Sequence, residues 1–210
     1  MAKKRDSVKT KEKIILSAME VFAKDGYDGV SVDLIAHKAD INKAMIYYYF
    51  TNKSKLYEVV IEKVLLDIYD TIILESKKFQ TPTQRLNSFI FTFAFFVKKN
   101  PYLSSLMLVE LSNGGKNLPK NVFVGFKKIF SLLNSILKDG EERGCFVKTM
   151  PIVIHFMIVG TINLFITTAS LREDVLDEFG ADIGGNQTID DVAKYISENI
   201  IKMLKEEKRC

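Results

Sequence analysis

The sequence predicts an all-α fold in which a small N-terminal unit of three helices precedes a larger helical domain. Long stretches of the chain carry apolar residues at the three- and four-residue spacing of one helix face. The four prolines stand where such stretches begin, a position at which proline starts a helix. A chain of 210 residues, of which 47% are hydrophobic, is long enough to bury a substantial core.

The first three predicted helices are short and closely spaced. Residues Thr10 to Asp25 place their apolar side chains on one face, and Gly26 follows as the expected left-handed cap. Ser31 caps a second short helix, and after a tight turn Asn42 caps a third, from Lys43 to Phe50. Two short helices joined by a tight turn form a helix-turn-helix.

The rest of the chain is predicted to consist of longer helices. Asn52 is expected to cap a long amphipathic helix that runs from Lys53 towards Phe79. Further helices are expected at Thr83 to Lys99, Tyr102 to Asn113, Lys120 to Glu142, Ile152 to Arg172 and Ile189 to Glu207. A Gly-rich stretch, 180–185, separates the last two. The predicted domains are therefore 1–52 and 53–210.

The positive charge of the chain is concentrated near its beginning. The first 55 residues hold 11 Lys and Arg against seven Asp and Glu, whereas the remaining residues hold 19 of each. The whole excess of +4 thus lies in the first quarter. Such an excess attracts a polyanion, and DNA is the polyanion that a helix-turn-helix binds.

Several functional classes are disfavoured by the composition. Two cysteines and two histidines give no metal cluster and no Ser-His-Asp arrangement, and no phosphate-loop or dinucleotide fingerprint is present. We therefore expect no catalytic residue, no metal and no cofactor. No apolar run follows the basic N-terminus, which predicts a cytoplasmic protein without a secretory signal. The apolar run from Met150 to Ala169 has the length of a membrane span, but its polar residues favour a buried interface helix.

The third predicted helix offers a surface suited to the DNA major groove. If Ile46 and Phe50 face inward, helical geometry turns a set of side chains outward or to the flanks. These are Lys43, Ala44, Met45, Tyr47 and Tyr48. The small residue permits close approach, methionine and tyrosine contact thymine methyl groups, and lysine reaches guanine or phosphate. Tyr47, Tyr48 and Tyr49 also carry hydroxyls suited to phosphate oxygens. The alternative is an aromatic packing patch, but the three tyrosines cover nearly a full turn and cannot all be buried.

The same residues carry a resemblance to a known family. The segments Ser31-Val32-Asp33-Leu34-Ile35-Ala36, Ala39-Asp40-Ile41 and Ile46-Tyr47-Tyr48-Tyr49-Phe50-Thr51-Asn52-Lys53 with Leu56 resemble the DNA-binding signature of TetR-type regulators. The resemblance covers about Thr10 to Tyr57. It implies that the third helix enters the major groove, that Tyr47 and Lys53 hold phosphates, and that Ser31 assists. It also implies a ligand-binding C-terminal domain that dimerises through its last two helices.

One position departs from that signature. Asp40 stands in the turn where the family usually has glycine. Aspartate tolerates the left-handed conformation better than most residues, so we expect the turn to survive. Its negative charge near DNA is expected to weaken affinity slightly.

The C-terminal domain holds candidate contacts to a small hydrophobic ligand. Phenylalanines crowd the stretch from Thr83 to Lys99, and flexible or aromatic side chains recur further along the chain. The candidates are Phe89, Phe93, Phe96, Met107, Phe126, Phe130 and His155. Ordinary core packing is the stronger explanation for any single one of them, and for His155 a hydrogen bond to a neighbouring carbonyl is favoured over a ligand contact.

These features together predict a ligand-responsive regulator. We expect a homodimer that represses transcription from palindromic operator DNA and is released by a small hydrophobic effector. An activator or a corepressor-type regulator is the alternative within the same class. A small helical enzyme, a helical lipid-binding protein and a membrane-anchored regulator are the alternatives from other classes.

Overall fold

The computed structural model describes residues 2–179 and 187–205, and all regular secondary structure within these ranges is helical. The helices are α1 (Ala2–Gly29), α2 (Val32–Lys38), α3 (Lys43–Phe50), α4 (Lys53–Ser76), α5 (Pro82–Lys99), α6 (Pro101–Ser112), a 3-10 turn (Lys120–Val122), α7 (Phe123–Glu142), α8 (Pro151–Thr167), α9 (Ala169–Phe179) and α10 (Ile189–Leu204). This confirms the predicted all-α fold. The Gly-rich stretch 180–185 lies outside the described residues.

Polar side chains start several of these helices where the sequence indicates. The Ser31 side chain accepts a hydrogen bond from the backbone N–H of Leu34, which starts α2. Asn42 and Asn52 do the same for α3 and α4, with acceptor distances of 2.8 Å. Each cap satisfies a backbone donor that has no partner within its helix. Proline occupies the first positions of α5, α6 and α8, as predicted.

The first helix is longer than the sequence pattern predicts. It begins at Ala2 and not at Thr10. The added residues are almost all polar, so they show no apolar face by which periodicity would reveal them. Near its end the helix is interrupted at Gly26. The φ of Gly26 is positive, 68°, as a left-handed cap requires, but its ψ of 174° is extended and not left-handed helical.

The helix predicted from Ile152 to Arg172 is two helices. The helix is interrupted at Thr168, and the axis of α9 is turned by 68° from that of α8. Side-chain hydroxyls accompany the break, since Thr167 and Thr168 both donate to the carbonyl oxygen of Leu164. Such bonds compete with the continuing helical ladder. No single described helix is long and apolar enough to cross a bilayer; only α8 taken with the start of α9 passes by length and composition, as a bent pair.

One hydrophobic core connects the N-terminal helices with the rest of the molecule. α1 packs against α4 and α6, α4 packs against α5 and α7, and α5 packs against α10. Phe22 of α1 meets Tyr57 of α4 edge to face, with ring centroids 4.8 Å apart. The proposed domain border after residue 52 is therefore crossed by packed side chains, and the division into 1–52 and 53–210 stays a prediction.

Candidate nucleic-acid interface

The turn between α2 and α3 holds the two helices in a fixed arrangement. Asp40 has a φ of 47°, so it adopts the left-handed conformation that the sequence requires of it. The backbone N–H of Ile41 donates to the carbonyl of Ala36 at 3.1 Å and closes the end of α2. On the inner side, Ile46 and Phe50 of α3 are buried. The predicted helix-turn-helix and its buried face are confirmed.

The outer face of α3 is aromatic and exposed. Tyr48 is 78% exposed and Tyr47 is 45% exposed, and Ala44 lies on the same open side. Met45 is half-buried at the flank. A surface of exposed tyrosines around a small residue offers hydroxyls to phosphate and lets the helix approach bases closely.

Lys43 already has a partner in the free protein. Its Nζ lies 2.7 Å from Oδ2 of Asp33, at the start of α2. The hydrogen bond to Asp33 raises the pKa of Lys43, so the side chain stays protonated. The ammonium group has three N–H donors, so a contact between Lys43 and DNA either shares this group with Asp33 or replaces Asp33. Sequence reasoning assigned Lys43 to DNA but missed this ion pair, which joins residues on two different helices.

The side chain of Tyr49 points in another direction from those of Tyr47 and Tyr48. It is half-buried, and its hydroxyl donates to Oγ of Ser7 in α1 at 3.1 Å. Its ring also meets the ring of Tyr48 edge to face. The three tyrosines thus divide into two exposed side chains and one that ties α3 to α1.

Lys53 stands at the first turn of α4, directly after α3. Its Nζ lies 4.3 Å from the centre of the Tyr27 ring, a cation–π contact that orients the lysine. The Tyr27 ring in turn lies 4.9 Å from the ring of Tyr57, within the core. Sequence reasoning found Lys53 but not Tyr27, because the contact depends on how α1 ends after Gly26.

The candidate ligand contacts occupy two kinds of environment. Phe89, Phe93 and Met107 are fully or almost fully buried. The half-buried members are Phe96, Phe126, Phe130 and His155. His155 lies edge to face with Phe130 at 5.7 Å, its Nδ1 is buried without a hydrogen-bond partner in the described part of the chain, and burial lowers its pKa. A ligand role for these seven residues stays a prediction.

Two grooves among the described residues are large enough to hold a small molecule, and these seven residues line neither of them. One, of about 670 Å³, lies between α4, α5 and α7. The other, of about 720 Å³, runs along α8 and α10 beside Met157 and Tyr195. Both volumes fall within the range of small-molecule sites.

A buried polar pair links the region of the interface to α6. The Tyr57 hydroxyl donates to Oε1 of Glu110, and both side chains are fully buried. Burial, and next the bond to Glu110, raise the pKa of Tyr57 far above its usual value, so it remains a neutral donor. The second carboxyl oxygen of Glu110 has no partner among the described residues.

Two family models match consecutive parts of the chain. Residues 14–60 match the model described as bacterial regulatory proteins, tetR family. Residues 60–179, more than half of the chain, match the C-terminal region of YsiA-like proteins. The first match contains α2, α3 and the start of α4, which together present the outer face of α3.

Two curated relatives are similar over different lengths. The chain is 32% identical over 113 residues to the biofilm operon negative transcriptional regulator IcaR of Staphylococcus aureus, and this alignment covers 54% of the chain and 59% of IcaR. The alignment thus spans less than two thirds of that relative. The chain is also 26% identical over 192 residues to the transcriptional repressor SCO4008 of Streptomyces coelicolor, and that alignment covers 90% of the chain and 94% of SCO4008.

Solved structures share the fold over almost the whole chain. A mutant of HlyIIR, whose residues 169–186 are replaced by a linker, superposes with a TM-score of 0.70 at 25% identity, covering 97% of this chain and all of that one. The transcriptional regulator FadR of Bacillus subtilis, in complex with stearoyl-CoA, superposes with a TM-score of 0.74 at 21% identity, covering 92% and 98%.

Proposed function

Because the chain belongs to the TetR family of bacterial transcriptional regulators, we propose that it is a repressor that binds a palindromic operator as a homodimer. A small hydrophobic effector releases it from that operator. Its partners are then double-stranded DNA, the effector and a second copy of the chain, and it acts in the cytoplasm.

The observation that carries this proposal is the outer face of α3. Ala44 is exposed near the leading end of this capped helix, and Tyr47 and Tyr48 are exposed one turn further along it. Lys43 and Lys53 supply positive charge at its two ends. An exposed helix of this kind reads base edges in the major groove, while tyrosine and lysine at its borders hold phosphates.

The proposed dimer rests on apolar side chains that the single chain leaves in solvent. Phe156 and Leu164 of α8 are large, apolar and exposed, and Tyr195 of α10 is 69% exposed. The groove between the two helices continues this surface. A second copy related by a two-fold axis would cover the same patch on both subunits. It would also set two α3 helices about 34 Å apart, one turn of DNA.

The proposed effector response rests on α4 and on the relatives. α4 begins at Lys53 in the interface and ends beside the groove between α4, α5 and α7, so a change at either end reaches the other through one helix. FadR of Bacillus subtilis, a structural neighbour, was solved with stearoyl-CoA. An effector releases DNA only if it binds the DNA-incompetent arrangement more tightly.

Selection of binding sites from random DNA tests the proposal. The wild-type chain should select a palindrome. Ala44→Leu should lose binding to it, because the larger side chain holds α3 out of the groove. Met45→Ala should weaken the preference where thymine methyls are contacted, and Lys43→Ala should relax one base position by ~1–3 kcal/mol if lysine reads guanine.

The same selection also shows what would contradict the proposal. Identical consensus sites from all four proteins would mean that α3 does not read sequence. A transcription assay on the selected site then separates the two regulatory modes. Added protein should reduce transcription from a promoter that overlaps the site, and an increase would show an activator.

A further inference from the structure

The groove between α4, α5 and α7 has a lining of mixed character. Its apolar side is formed by Ile73, Phe79, Val124 and Leu132. Its charged side is formed by Lys77, Arg85, Lys127, Lys128 and Arg143, and in the described part of the chain its lining holds no Asp or Glu. Such a groove suits a molecule that is apolar along its body and negatively charged at one end.

The two arginines of this groove are held in place from behind. Arg85 Nη1 lies 3.3 Å from one oxygen of Asp139, and Arg143 Nε lies 2.8 Å from the other. Arg143 also donates to the backbone carbonyl of Gln80. One carboxylate thus faces two guanidinium groups, which leaves an excess positive charge. Each guanidinium has five N–H donors, so most of them remain available to an anion.

The same lining holds a buried hydroxyl that no described residue hydrogen-bonds. Ser76, in the last turn of α4, is 2% exposed, and its Oγ makes no hydrogen bond within the described residues. A buried polar atom without a partner costs free energy, and the cost disappears when a ligand supplies one. Tyr69 borders the groove as well and receives Lys128 over its ring at 5.4 Å.

We propose that this groove binds an amphipathic anion, a molecule with a phosphate or carboxylate head and an extended apolar body. The head contacts the cationic side chains and the Ser76 hydroxyl, while the body lies along Ile73, Val124 and Leu132. The site is separate from the seven phenylalanine, methionine and histidine candidates of the sequence. A ligand bound in the groove holds the end of α4 against α7. The role of the groove as an effector site rests on the proposed function.

Calorimetric titration of the full chain with decyl phosphate, decanol and inorganic phosphate tests the proposal. Decyl phosphate should bind at one site per chain, and each of the other two should bind at least about tenfold more weakly. Lys127→Gln combined with Lys128→Gln should weaken decyl phosphate binding by about tenfold. The control combines Lys63→Gln with Lys138→Gln, which removes the same charge from α4 and α7 outside the lining.

Ser76→Ala separates binding from folding. The variant should weaken decyl phosphate binding while its thermal midpoint stays the same or rises, because the lost hydroxyl has no hydrogen-bond partner among the described residues. Equal binding by wild-type and groove variants, equal binding of decanol, equal binding of inorganic phosphate, or no binding of decyl phosphate would each overturn the proposal. Operator selection with the same variants is independent of this result. Groove binding without release of DNA would overturn only the effector part of the proposed function.

Discussion

At the scale of single residues, the buried bond between Tyr57 and Glu110 predicts a measurable effect on stability. Tyr57→Phe would leave the Glu110 carboxyl buried with neither oxygen bonded in the described part of the chain. We expect a loss of ~1–3 kcal/mol in the free energy of unfolding, measured by urea denaturation. Tyr102→Phe, on an exposed ring of α6, should change it by less than ~0.5 kcal/mol.

A second substitution shows whether the unsatisfied carboxyl is the cause. Glu110→Met replaces it with an apolar side chain of similar length. Combined with Tyr57→Phe, it should recover most of the loss, because a pair of polar groups replaced together leaves nothing unsatisfied. A double variant as unstable as the sum of the two single variants would contradict this account.

His155 predicts a dependence of stability on pH. Burial lowers its pKa in the folded chain, so below about pH 6.5 the unfolded chain binds the proton more readily. The contribution of His155 to stability is therefore complete above that pH and is lost as the pH falls further. His155→Phe should flatten the decline of the thermal midpoint between about pH 7 and pH 5. His37→Asn, at the exposed histidine, should leave the decline as in wild type, and equal slopes for wild type and His155→Phe would refute the assignment.

At the scale of elements, the sequence predicts helices well where a cap and an apolar face coincide. α3 is predicted to the residue, because Asn42 caps it and Ile46 and Phe50 mark its buried side. The sequence predicts α1 too short because the first residues of this helix have no apolar face. The sequence does not predict the break at Thr168, because the segment Thr167-Thr168-Ala169-Ser170 contains no Gly or Pro and a change of direction leaves no trace in periodicity.

The candidate interface divides in the same way. Outward directions on α3 follow from helical geometry, so Ala44, Tyr47 and Tyr48 are found where the sequence predicts. The partners Asp33 of Lys43 and Tyr27 of Lys53 lie on other helices. Such pairs depend on packing between elements, which a single sequence does not specify.

The corner between α3 and α4 is expected to hold DNA phosphates through Tyr47 and Lys53. Tyr47→Phe and Lys53→Ala should each weaken binding to all DNA sequences about equally, because phosphate contacts carry no sequence information. Lys53→Ala should also lower the salt slope of binding by about one unit. Electrophoretic mobility shifts at several salt concentrations measure both effects. Lys63→Ala, further along α4, is the matched control, and altered base preference without loss of general affinity would show the role to be wrong.

At the scale of the whole molecule, the exposed apolar stripe of α8 predicts the oligomeric state. Phe156, Gly160 and Leu164 recur at every fourth position, on one exposed side of the helix. Phe156→Arg should convert a dimer into a monomer in sedimentation at micromolar concentration, because two charges would face each other across the two-fold axis. Leu74→Arg, at an equally exposed apolar residue of α4, should remain dimeric. A wild-type monomer at that concentration would refute the proposed interface.

The length of α4 turns small rotations into large displacements. Its 24 residues span about 36 Å, from Lys53 at the interface to Ser76 at the groove. If the groove end acts as a pivot, a rotation of about 5° moves the other end by about 3 Å. That distance equals the length of one hydrogen bond, so it is enough to separate a lysine from a phosphate. A ligand at the groove therefore has no need to change the conformation of α3. A small rotation of α4 is enough to change the position of α3 relative to the DNA.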